Sequence, residues 1–203
     1  MRRSSLVTAA MVYSTLAGAA VAHPLTRFFH DVRSYQAHFT QVVYGRDHEV
    51  VQKSHGRMWV LRPDKFRWDY ARPNREIIVG DGKFLWLYDE GLRQVTVRPM
   101  AKALRGTPAM ILSGQGRLHS RFRIRELGNR SGLSWVDLRP KRRGTGFIDI
   151  QLGFKGDLLS RLVLKDSFQQ TTDIVLSDYR ENVSINPRRF QFSPPKGADV
   201  VRE

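Results

Sequence analysis

The stretch that decides the fold is WVLRPDKFRWDYARPNREIIVGDGKFLWLYD, residues 59–89. Large aromatic side chains recur in it at every second position, on both sides of a turn at Asp81-Gly82. Side chains two apart in a strand share a face, so this alternation predicts two strands whose rings form one continuous apolar surface, either a core or a pocket. The six rings are Phe66, Trp68, Tyr70, Phe84, Trp86 and Tyr88.

Arg62 is the one cation expected on this apolar face, because it has the same parity as Met58 and Val60. A buried guanidinium is costly unless it is hydrogen-bonded, so its position suggests a specific task. The alternative is an ordinary strand-end arginine that extends to solvent just before Pro63. The residues alone leave both interpretations open.

The first 22 residues have the pattern of an export signal. Arg2 and Arg3 precede an uncharged stretch, residues 6–20, and Ala20-Val21-Ala22 is a small-x-small cleavage site. About 15 moderately apolar residues are too few for a membrane anchor, which needs ~20. We therefore predict a signal peptide over residues 1–22 and a single exported domain over residues 23–203, located in the periplasm.

Composition argues against an enzyme and against a bound cofactor. The chain has no cysteine, which excludes disulfides, zinc-thiolate sites, thiol nucleophiles and a lipid anchor built on cysteine. Its six histidines form no HExxH pair, and there is no G-x-S-x-G elbow or P-loop. We expect no catalytic residue, no metal and no cofactor.

The charge balance is strongly basic, with 34 Lys and Arg against 19 Asp and Glu and a formal net charge of +15. Nucleic acid is one candidate partner for such a chain. The basic residues are spread along the sequence, however, and no nucleic-acid motif accompanies them. For an exported protein, anionic lipid headgroups or acidic faces of protein partners are better targets.

The rest of the chain follows a strand pattern after one short helix. Leu25, Phe28, Phe29 and Val32 form a helical stripe behind Pro24. From Tyr35 onward the period is two, and short turns join the strands, which predicts an antiparallel meander. The predicted strands are 36–44, 49–61, 66–71, 76–79, 83–88, 92–98, 121–126, 134–139, 147–153, 158–165, 172–177 and 189–192.

A second short helix interrupts the meander. Thr107-Pro108 is typical of an N-cap followed by proline at the first helical position. The helix is apolar on every side, so it must be covered both above and below, either as a lid or as a plug in the core. Its residues are Pro108, Ala109, Met110, Ile111 and Leu112.

Several long motifs resemble one protein family. WVLRPDKFRWDY, IIVGDGKFLWLYD, QVTVRP, GTPAMILSG and FQFSPPKGADV, in this order, are similar to the periplasmic outer-membrane lipoprotein carriers of the LolA family. The similarity covers essentially the whole predicted mature chain. It implies a mainly β fold with short helices, an incomplete antiparallel barrel of about 11 strands with a helical lid over a hydrophobic cavity.

The resemblance also implies a function and a set of residues. Such a monomeric chaperone accepts triacylated lipoproteins from an inner-membrane ABC transporter and delivers them to the outer-membrane receptor LolB. Arg62 matches the arginine that holds the lid shut, and residues 108–112 match the lid helix. The expected acyl-chain cavity is formed by Met58, Val60, Phe66, Trp68, Tyr70, Phe84, Trp86 and Tyr88. The alternative is another periplasmic lipid-binding or envelope-sensing module on the same fold.

Overall fold

A computed structural model describes residues 23–100, 108–113, 118–142 and 146–203. The predicted signal peptide, residues 1–22, lies outside the described residues. The helices are α1 (Pro24–His30), α2 (Pro108–Ser113) and α3 (Leu118–Arg121), and Pro187–Phe190 is a 3-10 helix. The strands are β1 (Ser34–Tyr44), β2 (Val50–Leu61), β3 (Lys65–Arg72), β4 (Glu76–Asp81), β5 (Phe84–Asp89), β6 (Gln94–Pro99), β7 (Phe122–Arg130), β8 (Leu133–Pro140), β9 (Phe147–Lys155), β10 (Leu158–Asp166), β11 (Thr171–Glu181) and β12 (Asp199–Arg202).

The described strands form one open sheet of twelve, in the order β12-β6-β5-β4-β3-β2-β1-β11-β10-β9-β8-β7. Strand β1 joins two meanders, because it pairs with β2 on one side and with β11 on the other. The sheet does not close between β7 and β12, as expected for an incomplete barrel. The predicted fold class is confirmed.

The last predicted strand, 189–192, is wrong. Asn186 accepts a hydrogen bond from the backbone N of Arg188, and Pro187 begins the 3-10 helix instead. The final strand is β12, which pairs with β6 in parallel and so departs from the antiparallel pattern. This pairing joins residues about 100 positions apart, and no local turn chemistry in the sequence specifies it.

The main core lies on the face of the sheet that the helices cover, here called the concave face, and the opposite face is called the convex face. The predicted helical stripe is confirmed, since Leu25, Phe28, Phe29 and Val32 are all buried. The ring of Phe28 lies 5.6 Å from that of Tyr35, in an edge-to-face contact typical of packed aromatic pairs. In the described part of the chain, no helix combines the length and the apolar composition needed to cross a membrane.

Strand register corrects the prediction that six rings share one face. Phe66 lies opposite Gly80, which in turn lies opposite Leu85, so the concave side of β5 carries leucines rather than aromatics. The parity of β5 was ambiguous because both of its faces are apolar. The rings of β5 therefore lie on the convex face: Phe84, Trp86 and Tyr88.

The convex rings are covered by the C-terminal segment. Phe192 lies 5.7 Å from Trp86 and 5.9 Å from Tyr88, measured between ring centroids. Phe190, in the 3-10 helix, is buried on the same side of β3 and β4. These strands therefore separate two apolar layers, one beneath the helices and one beneath the C-terminus.

Candidate functional site

The concave face of β2 and β3 is the most apolar surface that the helices cover. Met58 lies opposite Trp68 and Val60 lies opposite Phe66, and all four side chains are at most 1% exposed. Gly80 on β4 leaves room for the Phe66 ring, since a Cβ at that position would come within 2.4 Å of it. Four of the eight predicted cavity residues thus lie together, whereas Phe84, Trp86 and Tyr88 do not.

Tyr70 extends this surface toward the far end of the strands. Its ring lies 5.0 Å from Phe39, which also lies 5.0 Å from Trp68. Gly56 pairs with both Phe39 and Tyr70, and a Cβ there would come within 2.9 Å of the Phe39 ring. The missing side chain allows rings from two non-adjacent strands to meet.

Two helices cover different parts of the concave face. Helix α1 packs against β10, whereas α2 packs against β2 and β3. In α2, Leu112 is fully buried in the same cluster as Phe66 and Trp68, and Ile111 packs at its margin. The side chains of the other predicted lid residues, Pro108, Ala109 and Met110, lie outside the described residues.

Arg62 follows β2 and lies between the two helices, with its residue only 7% exposed. Its Nη1 donates hydrogen bonds to the carbonyl oxygens of Phe28, at 2.8 Å, and Val32. Its Nη2 donates to the carbonyl oxygen of Leu112 at 2.8 Å. The planar fork therefore joins α1 and the loop after it to α2, which a single ammonium group could not do with the same geometry.

The surroundings of Arg62 are apolar and carbonyl-rich. Its Cζ lies 4.7 Å from the ring centroid of Phe28 and 5.1 Å from that of Phe29. Burial lowers the pKa of Arg62 to about 10, while Glu181 opposes this shift and Arg33 adds to it. The guanidinium stays charged near neutral pH, so its carbonyl contacts are charge-assisted bonds.

Helix α1 has its own polar attachment to the sheet. Arg27 donates to Glu181 Oε2 at 2.7 Å and to the carbonyl oxygen of Asp157 at 3.2 Å. The hydrogen bond and charge of Glu181 raise the pKa of Arg27 despite its partial burial. After the helix, Asn182 accepts from the backbone N of Arg33 at 2.7 Å. These bonds hold α1 on the side of the sheet formed by β10 and β11.

Sequence reasoning missed one part of the concave face, a small polar group beside the rings. Tyr70 donates its hydroxyl to Gln41 Oε1 at 3.2 Å, and Gln41 pairs with Ser54 across β1 and β2. Gln41 and Ser54 are both buried. The signal was available in β1, where Gln41 continues the parity of Ala37 and Phe39.

Ionisable side chains on the concave face form no metal site. Among the described residues, no group of three or more His, Asp or Glu side chains is placed to hold a metal ion. The concave face instead offers a ligand an apolar surface beneath two helices and a few buried polar groups.

Comparison with known proteins shows to which family this chain belongs. The model of the family described as outer membrane lipoprotein carrier protein LolA matches residues 30–193. The chain belongs to the LolA family. The outer-membrane lipoprotein carrier protein of Methylobacillus flagellatus is 42% identical over 200 residues, covering 98% of this chain and 97% of the relative. That of Nitrosomonas europaea is 38% identical over 186 residues, covering 91% and 90%.

A solved structure supports the fold. An uncharacterized conserved protein from Thermus thermophilus has a TM-score of 0.58 and 19% identity, covering 89% of this chain and 97% of that one. With the family shown by sequence, the protein is a LolA-type lipoprotein carrier built on an open twelve-stranded sheet.

Proposed function

We propose that this protein is a periplasmic chaperone that accepts triacylated lipoproteins released by an inner-membrane ABC transporter and delivers them to the outer-membrane receptor LolB. It acts as a monomer and buries the acyl chains against the concave face of β2 and β3. The observation that supports this most is Arg62, which joins two helices over an apolar surface through backbone carbonyls.

The free energy of acyl-chain hydration explains why a carrier is needed. Each methylene removed from water contributes roughly 0.8 kcal/mol, so three long chains left in water would cost tens of kcal/mol. Met58, Val60, Phe66, Trp68 and Leu112 are buried against one another without cargo. Cargo therefore replaces contacts between helix and sheet with contacts between acyl chain and sheet, and the helices compete for the same surface.

The hydrogen bonds of Arg62 suggest which helix moves. Two of its three described bonds go to Phe28 and Val32, on the side that Arg27 and Glu181 attach to the sheet. One goes to Leu112 in α2. In our proposal α1 stays in place and α2 lifts, which uncovers Met58, Phe66 and Trp68 while Arg62 keeps its other acceptors.

Release of the cargo follows from the same competition between helix α2 and the acyl chains for the apolar surface. Each charge-assisted bond contributes about 1.5 to 3 kcal/mol, so the Leu112 bond alone shifts the open-closed equilibrium by tenfold or more. Closing α2 regains that bond and returns the apolar contacts of Leu112. Because the closed carrier binds acyl chains weakly, the receptor needs only to capture the cargo that closure displaces.

The test is a two-step transfer assay with purified carrier. Uptake of a lipoprotein from transporter-bearing vesicles and its delivery to receptor-bearing membranes are measured for the wild type and for Arg62→Leu, Arg62→Lys and Arg57→Leu. We expect Arg62→Leu to take up cargo but deliver it at least tenfold more slowly, and Arg62→Lys to recover part of the delivery. Arg57, an exposed arginine of β2, the strand that Arg62 follows, provides the matched control.

Two results would contradict the proposal. Equal uptake and delivery in folded Arg62→Leu would mean that the bonds to α1 and α2 are purely structural. A second arm isolates the protein from its own periplasm and identifies extracted molecules by mass spectrometry. Recovery of free lipid or a signalling peptide in place of lipoprotein would favour a different binding module on this fold.

A further inference from the structure

Besides the Nε of Arg62, two buried polar groups on the concave face have no hydrogen-bond partner among the described residues. They are the indole Nε1 of Trp68 and the hydroxyl of Ser54, in residues that are 1% and 3% exposed. Leaving a buried donor unsatisfied costs about as much as losing a hydrogen bond, so native cores seldom contain two such groups on one surface. The Nε1 of Trp68 and the hydroxyl of Ser54 are polar groups, which the packing of an apolar layer does not require.

The two groups belong to one band across three strands. Trp68 stacks on Tyr70, with ring centroids 6.5 Å apart. Tyr70 reaches over Gly56 to donate to Gln41, and Gln41 is the cross-strand partner of Ser54. Burial raises the pKa of Tyr70, so its hydroxyl stays protonated and remains a donor. The four side chains of the band are thus uncharged and rich in donors, and the charged neighbour of Tyr70 is Glu76, its cross-strand partner on β4.

This band lies apart from Arg62 along the sheet. Arg62 follows the end of β2, where Leu61 pairs with Ser34, whereas Ser54 pairs with Gln41 seven positions further along β1. Phe39, Met58 and Phe66 occupy the concave face between them. A ligand on this face meets neutral donors at one end and purely apolar side chains beyond them.

We propose that the band formed by Gln41, Ser54, Trp68 and Tyr70 binds the ester carbonyl oxygens of acyl chains. Trp68 Nε1 and the Ser54 hydroxyl donate to these carbonyls, which fixes how far each chain enters. The proposal rests on the proposed function, since it needs acyl chains on the concave face. It goes further by assigning a subsite for the polar linkage, so that the protein distinguishes acyl lipids from plain hydrocarbon.

A carbonyl fits these donors better than the other polar groups of a lipid. Phosphate and carboxylate groups are charged, and burying them is costly unless a cation is nearby. None of the four residues of the band is a cation, so these groups are disfavoured there. A hydroxyl could also bond, but a carbonyl oxygen has two lone pairs and no proton of its own to satisfy. Ether-linked chains have the same length without this acceptor, which makes them the natural comparison.

The experiment compares two ligands that differ only in the carbonyl. A synthetic tripalmitoylated cysteinyl-serine lipopeptide and its analogue with both ester carbonyls replaced by methylenes compete with a fluorescently labelled fatty acid for the full mature protein. We expect the wild type to bind the ester form at least tenfold more tightly, since each of the two donors contributes roughly one net hydrogen bond. Ser54→Ala and Trp68→Phe should each reduce this preference, and the double variant should bind the two forms with equal affinity.

Matched controls come from the same chain. Ser34 is also buried, but its hydroxyl already donates to the carbonyl oxygen of Val183 at 2.6 Å. Trp86 already donates its Nε1 to Asp81 at 2.9 Å. Ser34→Ala and Trp86→Phe should keep the ester preference and lose stability, whereas Ser54→Ala should leave the midpoint of thermal unfolding unchanged or raise it.

The outcomes separate this inference from the proposed function. Equal affinity for both ligands, or a preference that survives in the double variant, overturns the carbonyl subsite while leaving acyl-chain carriage intact. A loss of stability in Ser54→Ala as large as in Ser34→Ala also overturns it, because the hydroxyl would then be bonded in the free protein. Binding of neither ligand removes the proposed function, and the subsite falls with it.

Discussion

The two faces of strands β3 to β5 carry the same kinds of aromatic side chain under different covers. On the concave face, Phe66 and Trp68 are buried beneath helices. Arg62 links helix α2 to the sheet by donating a hydrogen bond to the carbonyl oxygen of Leu112. On the convex face, Trp86 and Tyr88 lie beneath Phe192, in a segment fixed by the β12 to β6 pairing.

The two faces carry similar rings and differ in the segments that cover them. A parallel strand pairing and a 3-10 helix make a cover that opens only with loss of a strand. Helix α2 takes part in no strand pairing; Arg62 donates to its Leu112 carbonyl and the backbone N of Asp64 donates to its Ser113 carbonyl. We therefore expect ligand binding to depend on the concave rings and stability to depend on both faces.

The largest difference should come from the matched phenylalanines Phe66 and Phe84. Phe66→Ser should weaken binding of a labelled fatty acid by at least tenfold and cost about 3 to 5 kcal/mol of unfolding free energy. Phe84, which is 40% exposed, should tolerate serine with unchanged affinity and a cost below about 1 kcal/mol. Titration and urea unfolding measure both quantities.

Should Phe66→Ser fail to fold, Phe66→Leu replaces it. The smaller apolar side chain keeps the surface but removes the ring, and we expect a measurable loss of affinity in a folded protein. Wild-type affinity in a folded Phe66→Ser variant, or equal effects at Phe66 and Phe84, would abolish the distinction between the faces.

The convex cover is tested by Phe192→Ala. Its ring contacts Trp86 and Tyr88, so we expect a loss of about 2 to 4 kcal/mol in unfolding free energy without a change in fatty-acid affinity. Phe168→Ala provides the control, because Phe168 is 79% exposed and should cost no more than about 0.5 kcal/mol. Reduced affinity in Phe192→Ala would show that the two layers are coupled.

A pH-dependent effect should come from the convex face in the other half of the sheet. Burial and the neighbouring Asp149 raise the pKa of Asp137 to about 6, while Arg139 and Arg125 oppose the shift. Because the folded state holds this proton more tightly than the unfolded chain does, the stabilisation is present at low pH and is lost as pH rises through about 6.

The measurement is urea unfolding of wild type and Asp137→Asn at pH 4.5 and pH 7.5. The wild type should lose on the order of 1 to 2 kcal/mol more than the variant over this interval. Identical pH dependence in the two proteins would mean that Asp137 titrates normally. Fatty-acid affinity should not change, because Asp137 faces away from the apolar layer.

The smallest effect should come from the convex arginine Arg189. Its Cζ lies 4.3 Å from the ring centroid of Trp59, an exposed counterpart to the buried contact of Arg62 with Phe28. Arg189→Met should cost only about 0.5 to 1 kcal/mol in thermal or urea unfolding, and delivery of lipoprotein should be unchanged. A loss of delivery comparable to that in Arg62→Leu would mean that arginines on both faces control the cargo.

Local patterns were sufficient for much of this protein. The helical stripe of α1 and the strands from β1 to β11 follow from periodicities of 3.6 and two, because each reports on one continuous segment. The parity of Met58, Val60 and Arg62 in β2 likewise indicated one buried row. Family motifs placed the chain among lipoprotein carriers.

Relations across turns were less predictable. Both faces of β5 are apolar, with Leu85 and Leu87 alternating with the rings, so periodicity did not say which set faces inward. The register after the Asp81 turn decided it, since Asp81 accepts from the backbone N of Lys83 at 2.7 Å and Gly80 pairs with Leu85. A shift of one residue would exchange the faces.

By itself, the sequence determined the class of fold, the family, the first helix and the buried row that contains Arg62. Only the tertiary structure decided that Arg62 bonds carbonyls on both α1 and α2, that β12 pairs in parallel with β6, and that Gln41 and Ser54 adjoin Tyr70. The physical reason is distance along the chain. Alternation and helical periodicity act between near neighbours, whereas these contacts join segments whose separation no local pattern encodes.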